Sequence, residues 1–198
     1  LYDQQIQKEK SMRRAFLGCV LCFVVMLSLT GYAGETPKQG DFFPDQTLRV
    51  LEGDGARAYL GLEAGVESFA VSDIDADLVL VEIFSMYCPY CQKEAPEVNR
   101  LLALIREQGL GDRVKILGIA PGNSDYEVSV FRSKFSIEFP LFSDPDFLWH
   151  KRLGEVGTPY FFLLNNREGA SRVLYSEVGS FGTAEEFLKK ILVMGDLH

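Results

Sequence analysis

The chain has 198 residues, 47% of them hydrophobic and 24% charged, with 15 Phe and 8 Tyr. That length holds one domain with a sizeable core plus a short appendage, and the composition excludes a disordered or fibrous protein. A formal charge of −8 argues against a nucleic-acid partner, which would want a basic face.

The appendage is at the front. Leu1–Ser11 is polar and precedes Met12, so it reads as an upstream extension. Met12-Arg13-Arg14 then supplies a positive start, Ala15–Leu29 carries no charge, and Gly31-Tyr32-Ala33 places small residues at the positions a signal peptidase reads. This is the pattern of a secretory signal. The alternative is an uncleaved membrane anchor, since the apolar stretch approaches the ~20 residues of a spanning helix. Either way the expected location is periplasmic or otherwise extracytoplasmic, with residues 1–33 standing apart from a domain over residues 34–198. Cys19 and Cys22 fall inside the apolar run. With no charge or helix terminus to stabilise a thiolate, they are expected to be inert.

From Gly34 to Gly65 the chain is rich in Gly and Asp, with apolar clusters at Leu48–Leu51 and Ala58–Leu62 that suggest a hairpin. Leu78–Phe84 is a nearly continuous apolar run of strand length, interrupted by Glu82, and suits a central parallel strand. Beyond Cys91, Ala95, Val98, Leu101, Leu102 and Ile105 recur at helical spacing up to Gly109, with Pro96 expected to kink the helix. Val114–Ala120 predicts a second buried strand and Tyr126–Phe135 a helix. The stretch "FPLFSDPDFLWHKRLG" predicts a short strand, a turn and a short helix from about Pro145. Tyr160–Leu164 and Arg172–Tyr175 predict two strands joined by "NNREG", and Thr183 caps a last helix to Val193. The order is that of an α/β domain.

The chemistry concentrates in Cys88-Pro89-Tyr90-Cys91. Cys88 follows a buried strand and opens a long helix, where free N–H groups and the helix dipole favour an anion. Its thiolate is the expected nucleophile, with Cys91, one turn below, resolving the mixed disulfide. Pro89 suits the first turn, because its missing N–H would be unsatisfied there. A structural disulfide over so short a loop would gain little. Zinc wants four ligands, and the mature chain offers only Cys88, Cys91, His150 and His198, so no metal is expected.

Strand–"FSMYCPYC"–helix, "KEAP" after the second cysteine and the later "GTPYFFLLN" resemble thioredoxin-fold proteins. The long segment between Val114 and Gly157, and "GDFFPDQTL" at Gly40–Leu48, resemble the extracytoplasmic TlpA/ResA branch. The resemblance covers most of Gly40–Val193. It implies a thioredoxin-like α/β fold, a central mixed sheet flanked by helices, with an N-terminal extension and a central insertion. It also implies a thiol–disulfide oxidoreductase whose only redox group is the Cys88–Cys91 disulfide, with no separate cofactor. The TlpA/ResA branch suggests a protein disulfide reductase fed by a membrane thiol donor, acting on protein disulfides, apocytochrome c among them.

Residue by residue, Thr158-Pro159 matches the family's cis-proline, which faces the disulfide and offers backbone to substrate; otherwise Pro159 only starts a strand. Pro89 and Tyr90 complete the substrate-facing set. Glu82 stands at the family's buried acid, where desolvation raises its pKa and it exchanges a proton with Cys91; the alternative is an acid at the sheet edge. Glu94 matches the branch's glutamate three residues past the second cysteine and lies within a turn of the disulfide, or else is an ordinary exposed helix acid.

Tyr87 replaces the family's usual Trp, and Pro89-Tyr90 is shared with glutaredoxins, which leaves glutathione open as a substrate. A thiol-dependent peroxidase would carry a Pro and a Thr ahead of its nucleophile that "VEIFSMYC" lacks. A copper-binding assembly module would place a histidine where Thr158 stands.

Overall fold

The computed structural model describes residues 34–51, 55–167 and 169–197. The upstream extension, the secretory segment, Cys19 and Cys22 lie outside the described residues. After an irregular lead-in, β1 (Leu48–Arg49) pairs antiparallel with β2 (Ser68–Phe69), and the short helix α1 (Ala56–Tyr59) lies between them in the chain. The expected second arm of the hairpin, Ala58–Leu62, is therefore not a strand. Ala56 and Leu60 are both buried, and their four-residue spacing puts them on one side of a helical turn, so helical burial wins over pairing.

A 3-10 turn (Val71–Asp73) leads to β3 (Leu78–Ile83), in which all six residues are buried. There follow α2 (Pro89–Glu107), β4 (Val114–Pro121), α3 (Asp125–Phe135), β5 (Leu141–Asp144), α4 (Leu148–Arg152), β6 (Tyr160–Asn165), β7 (Arg172–Val178) and α5 (Ala184–Met194). The main sheet runs β5-β4-β3-β6-β7. Its β3–β4 and β4–β5 pairs are parallel; β3–β6 and β6–β7 are antiparallel. The sheet is mixed because α2 and α3 supply the crossovers that parallel neighbours need, whereas a short turn joins β6 to β7.

β3 is central, so both its faces must be covered, which is why it reads as an unbroken apolar run. Leu78, Leu80 and Phe84 share one core with α2, α3 and α5, through Val98, Phe131 and Phe187 among others. Val79, Val81 and Ile83 share the other with α4, the hairpin and the lead-in, through Trp149, Phe69 and Phe43. Each such fully buried side chain contributes about 1.5–3 kcal/mol relative to exposure.

Two boundaries differ from expectation. α4 starts at Leu148, not near Pro145, because the buried Asp144 carboxylate reaches past the turn and accepts the N–H groups of Leu148 (2.7 Å) and His150 (3.0 Å). β7 runs on to Val178, past Tyr175, after a bulge opposite Leu163/Leu164. The C-terminal ends of β3, β4, β5 and β7 and the start of β6 thus gather at one edge, where open α/β sheets bind ligands.

Candidate active site

β3 ends in a β-turn from Ser85 to Cys88, closed by Cys88 N–H on the Ser85 carbonyl at 3.1 Å. The turn delivers Cys88 as the N-cap of α2, in extended backbone, with Pro89 in the first helical position. Its sulfur accepts the Cys91 N–H at 3.3 Å, doing what a capping side chain does. In the thiol form it also donates to the Thr158 carbonyl at 3.3 Å, and the Thr158–Pro159 peptide bond is cis. Cys91, one turn into the helix, is fully buried.

The two sulfurs differ in acidity. Partial burial pushes the Cys88 thiol up, but the Thr158 hydroxyl, the Cys91 thiol and the N–H groups of Cys91 and Tyr90 outweigh it and bring Cys88 below the ordinary thiol range. Burial pushes Cys91 far up, as do its hydrogen bond with Cys88 and the nearby Glu82; only the Ser85 N–H opposes them. The arrangement therefore offers one partly exposed, activated sulfur over one buried, protonated sulfur.

Glu82 lies in the middle of the sheet, in register with Gly118 on one side and Phe161 on the other. The sheet-edge alternative is excluded. Its carboxylate is buried, and Oε1 has no hydrogen-bond partner among the described residues. Burial first, then Glu94 and Cys88, raise its pKa to about 8. Such a group holds a proton near neutral pH and can still release it.

Glu94 is buried rather than exposed, and its Oε1 accepts the Phe181 N–H at 3.1 Å. One turn further, Glu97 accepts the Ala184 N–H at 2.9 Å, at the start of α5. The two acids of α2 thus hold the loop before α5. Beside them is a cavity of about 570 Å³ lined by Tyr90, Glu94, Thr158, Pro159, Val178 and Ser180. Tyr90 and Tyr87 stand exposed next to Cys88. Among the described residues no group of three or more His, Cys, Asp or Glu side chains is arranged to hold a metal ion.

The sequence-predicted residues Cys88, Cys91, Glu82, Glu94, Pro89, Tyr90, Thr158 and Pro159 therefore converge. Four others were not singled out. Asn123, Gln92 and Ser85 hydrogen-bond within or onto the turn before Cys88, and Glu127 accepts the Tyr87 hydroxyl. Only Glu127 leaves a trace in the sequence, as the fourth residue of the Ser124–Glu127 capping box that opens α3.

The AhpC/TSA family profile matches residues 40–172. The thiol-disulfide oxidoreductase ResA of Bacillus cereus is 24% identical over 168 residues, covering 85% of this chain and 93% of that protein. Among solved structures, the thioredoxin domain of a Bacteroides vulgatus thiol-disulfide oxidoreductase superposes with a TM-score of 0.57 at 17% identity, covering 79% of this chain and 99% of that one. A secreted Mycobacterium tuberculosis disulfide oxidoreductase homologous to E. coli DsbE superposes with a TM-score of 0.52 at 19% identity, covering 64% and 89%. These structures share the thioredoxin-like fold.

Proposed function

The chain belongs to the AhpC/TSA family and is a thiol–disulfide oxidoreductase, and we propose that it works as a protein disulfide reductase with Cys88 attacking and Cys91 resolving. The observation that carries this reading is the inequality of the two sulfurs. Cys88 is lowered and accessible at the N-terminus of α2, and Cys91 is raised and buried beneath it.

The Cys88 thiolate attacks one sulfur of a substrate disulfide and expels the other as a thiolate, forming a mixed disulfide. Cys88 then carries no charge. Its repulsion of Glu82, one of the causes that raise that acid, disappears, so Glu82 ionises more readily and takes the Cys91 proton. The Cys91 thiolate attacks Cys88 and releases the second substrate thiol. Two electrons pass to substrate and a Cys88–Cys91 disulfide remains. Thr158 and Pro159, with Tyr90 and Pro89, form the wall against which the substrate chain lies.

Two buried acids stand in line behind the pair. Glu82 acts on Cys91, and Glu94 acts on Glu82. Both set the proton path rather than the direction. The direction is supported by the resemblance to the TlpA/ResA branch and by Tyr90, which places no positive charge beside Cys88 to stabilise its thiolate further. A reductant needs resupply, which we assign to a membrane thiol donor, with apocytochrome c among the protein clients. The basic-then-apolar segment of Met12–Ala33 supports an extracytoplasmic location, secreted or tethered.

The test is trapping. Reduced Cys91→Ser, incubated with a disulfide-bonded protein, should accumulate a mixed disulfide through Cys88. Cys88→Ser should form none. Trapping through Cys91 instead would reverse the roles.

A further inference from the structure

The turn from Ser85 to Cys88 belongs to no strand or helix, yet side chains from elsewhere take up both polar groups of its second residue. Met86 N–H donates to Asn123 Oδ1 at 2.8 Å, and the Met86 carbonyl accepts from Gln92 Nε2 at 2.7 Å. Asn123 Nδ2 reaches Ser85 Oγ at 3.4 Å, and that same oxygen accepts the Tyr87 N–H at 3.3 Å. Gln92 Oε1 is in turn met by Lys134 Nζ of α3 at 3.5 Å.

Asn123 is 1% exposed and lies 37 residues from Met86 in sequence, in the loop between β4 and α3. That loop is itself locked. Gly122 has φ 67°, and the Phe147 ring lies where its Cβ would be, 2.4 Å from that position. A buried amide so held gives the turn a fixed reference.

The turn touches both sulfurs. Its last residue is Cys88, and its first presents a backbone N–H to Cys91. We propose that Asn123 is a positioning residue for the Cys88–Cys91 pair: its buried amide, aided by Gln92, holds the turn that sets both sulfurs over the N-terminus of α2. The loop between β4 and α3 thereby sets the geometry of a pair it does not contain. This rests on the reading of Cys88–Cys91 as the reacting pair.

Released from Asn123, the turn relaxes. The Cys88 sulfur then drifts from the N–H groups that stabilise its thiolate, and the Ser85 N–H leaves Cys91. Three quantities report this in the full chain: the pH profile of Cys88 alkylation by iodoacetamide, the rate at which Cys91 resolves a mixed disulfide with glutathione, and hydrogen exchange at the Met86 amide.

In Asn123→Ala, Met86 exchange should speed up about tenfold or more. The alkylation midpoint should rise, so that at fixed pH below it alkylation slows by about three- to tenfold. Resolution should slow alongside. Gln92→Ala, at a half-buried position, should give the same changes in smaller measure, and it carries the test if Asn123→Ala does not fold. Faster Met86 exchange with an unchanged alkylation profile and unchanged resolution would overturn the proposal, leaving Asn123 a purely structural residue. A wild-type protein that forms no reversible Cys88–Cys91 disulfide would instead overturn the reading of the site itself.

Discussion

The Cys88 sulfur lies 3.3 Å from the Thr158 carbonyl oxygen, 70 residues further along the chain. The sheet brings them together: β3 and β6 are antiparallel neighbours with Ile83 opposite Tyr160, so the end of one strand faces the start of the other. Cys88 and the cis Thr158–Pro159 bond are thus brought together by one strand pairing.

Thr158 acts on Cys88 through its hydroxyl as well, which stabilises the thiolate. Thr158→Val keeps shape and backbone but removes that donor. The Cys88 alkylation midpoint should rise by about one pH unit, the worth of one hydrogen bond to a charged sulfur. Following thiolate absorbance against pH would show it.

Glu82 links the site to stability. Its folded pKa of about 8 stands above the ordinary 4.5. As pH rises between these values the unfolded chain gives up this proton while the folded protein keeps it, so folding loses stability across that window and levels off above it. The loss is about 1.4 kcal/mol per pH unit of separation. In Glu82→Gln that component of the slope should vanish, so denaturant unfolding of the reduced protein at several pH values should show a flatter profile. The same variant should form the mixed disulfide normally but resolve it slowly, because Cys91 has lost its proton acceptor.

Glu94 does two things that separate by variant. Glu94→Ala frees the Phe181 N–H and should cost about 1–3 kcal/mol in urea unfolding. Glu94→Gln keeps an acceptor there but removes the repulsion that helps raise Glu82. Its expected result is a lower pH midpoint for resolution at nearly unchanged stability. A midpoint that does not move would separate Glu94 from the proton chemistry.

What the sequence disclosed followed the range of each interaction. The strand, turn and helix around Cys88 were legible because apolar runs, a helical spacing and Pro89 all act locally. Glu82 stood out because an acid in a continuous apolar strand is conspicuous. The partner of Glu94 did not, since Phe181 is 87 residues away and offers only a backbone N–H, which any residue carries. Asn123 was invisible for the same reason: its ligand is the Met86 peptide, and an asparagine after a glycine reads as turn chemistry. The hairpin arm was misplaced because β2 is two residues long and has no periodicity to read.

The central claim is tested most directly by the reduction potential of the Cys88–Cys91 pair, equilibrated against dithiothreitol and glutathione buffers in the chain from Gly34. A protein disulfide reductase should show a two-electron potential near the thioredoxin value of about −270 mV. A potential near about −120 mV would make the protein a disulfide donor and contradict the reductive assignment. A pair that forms no reversible disulfide would contradict the redox function altogether.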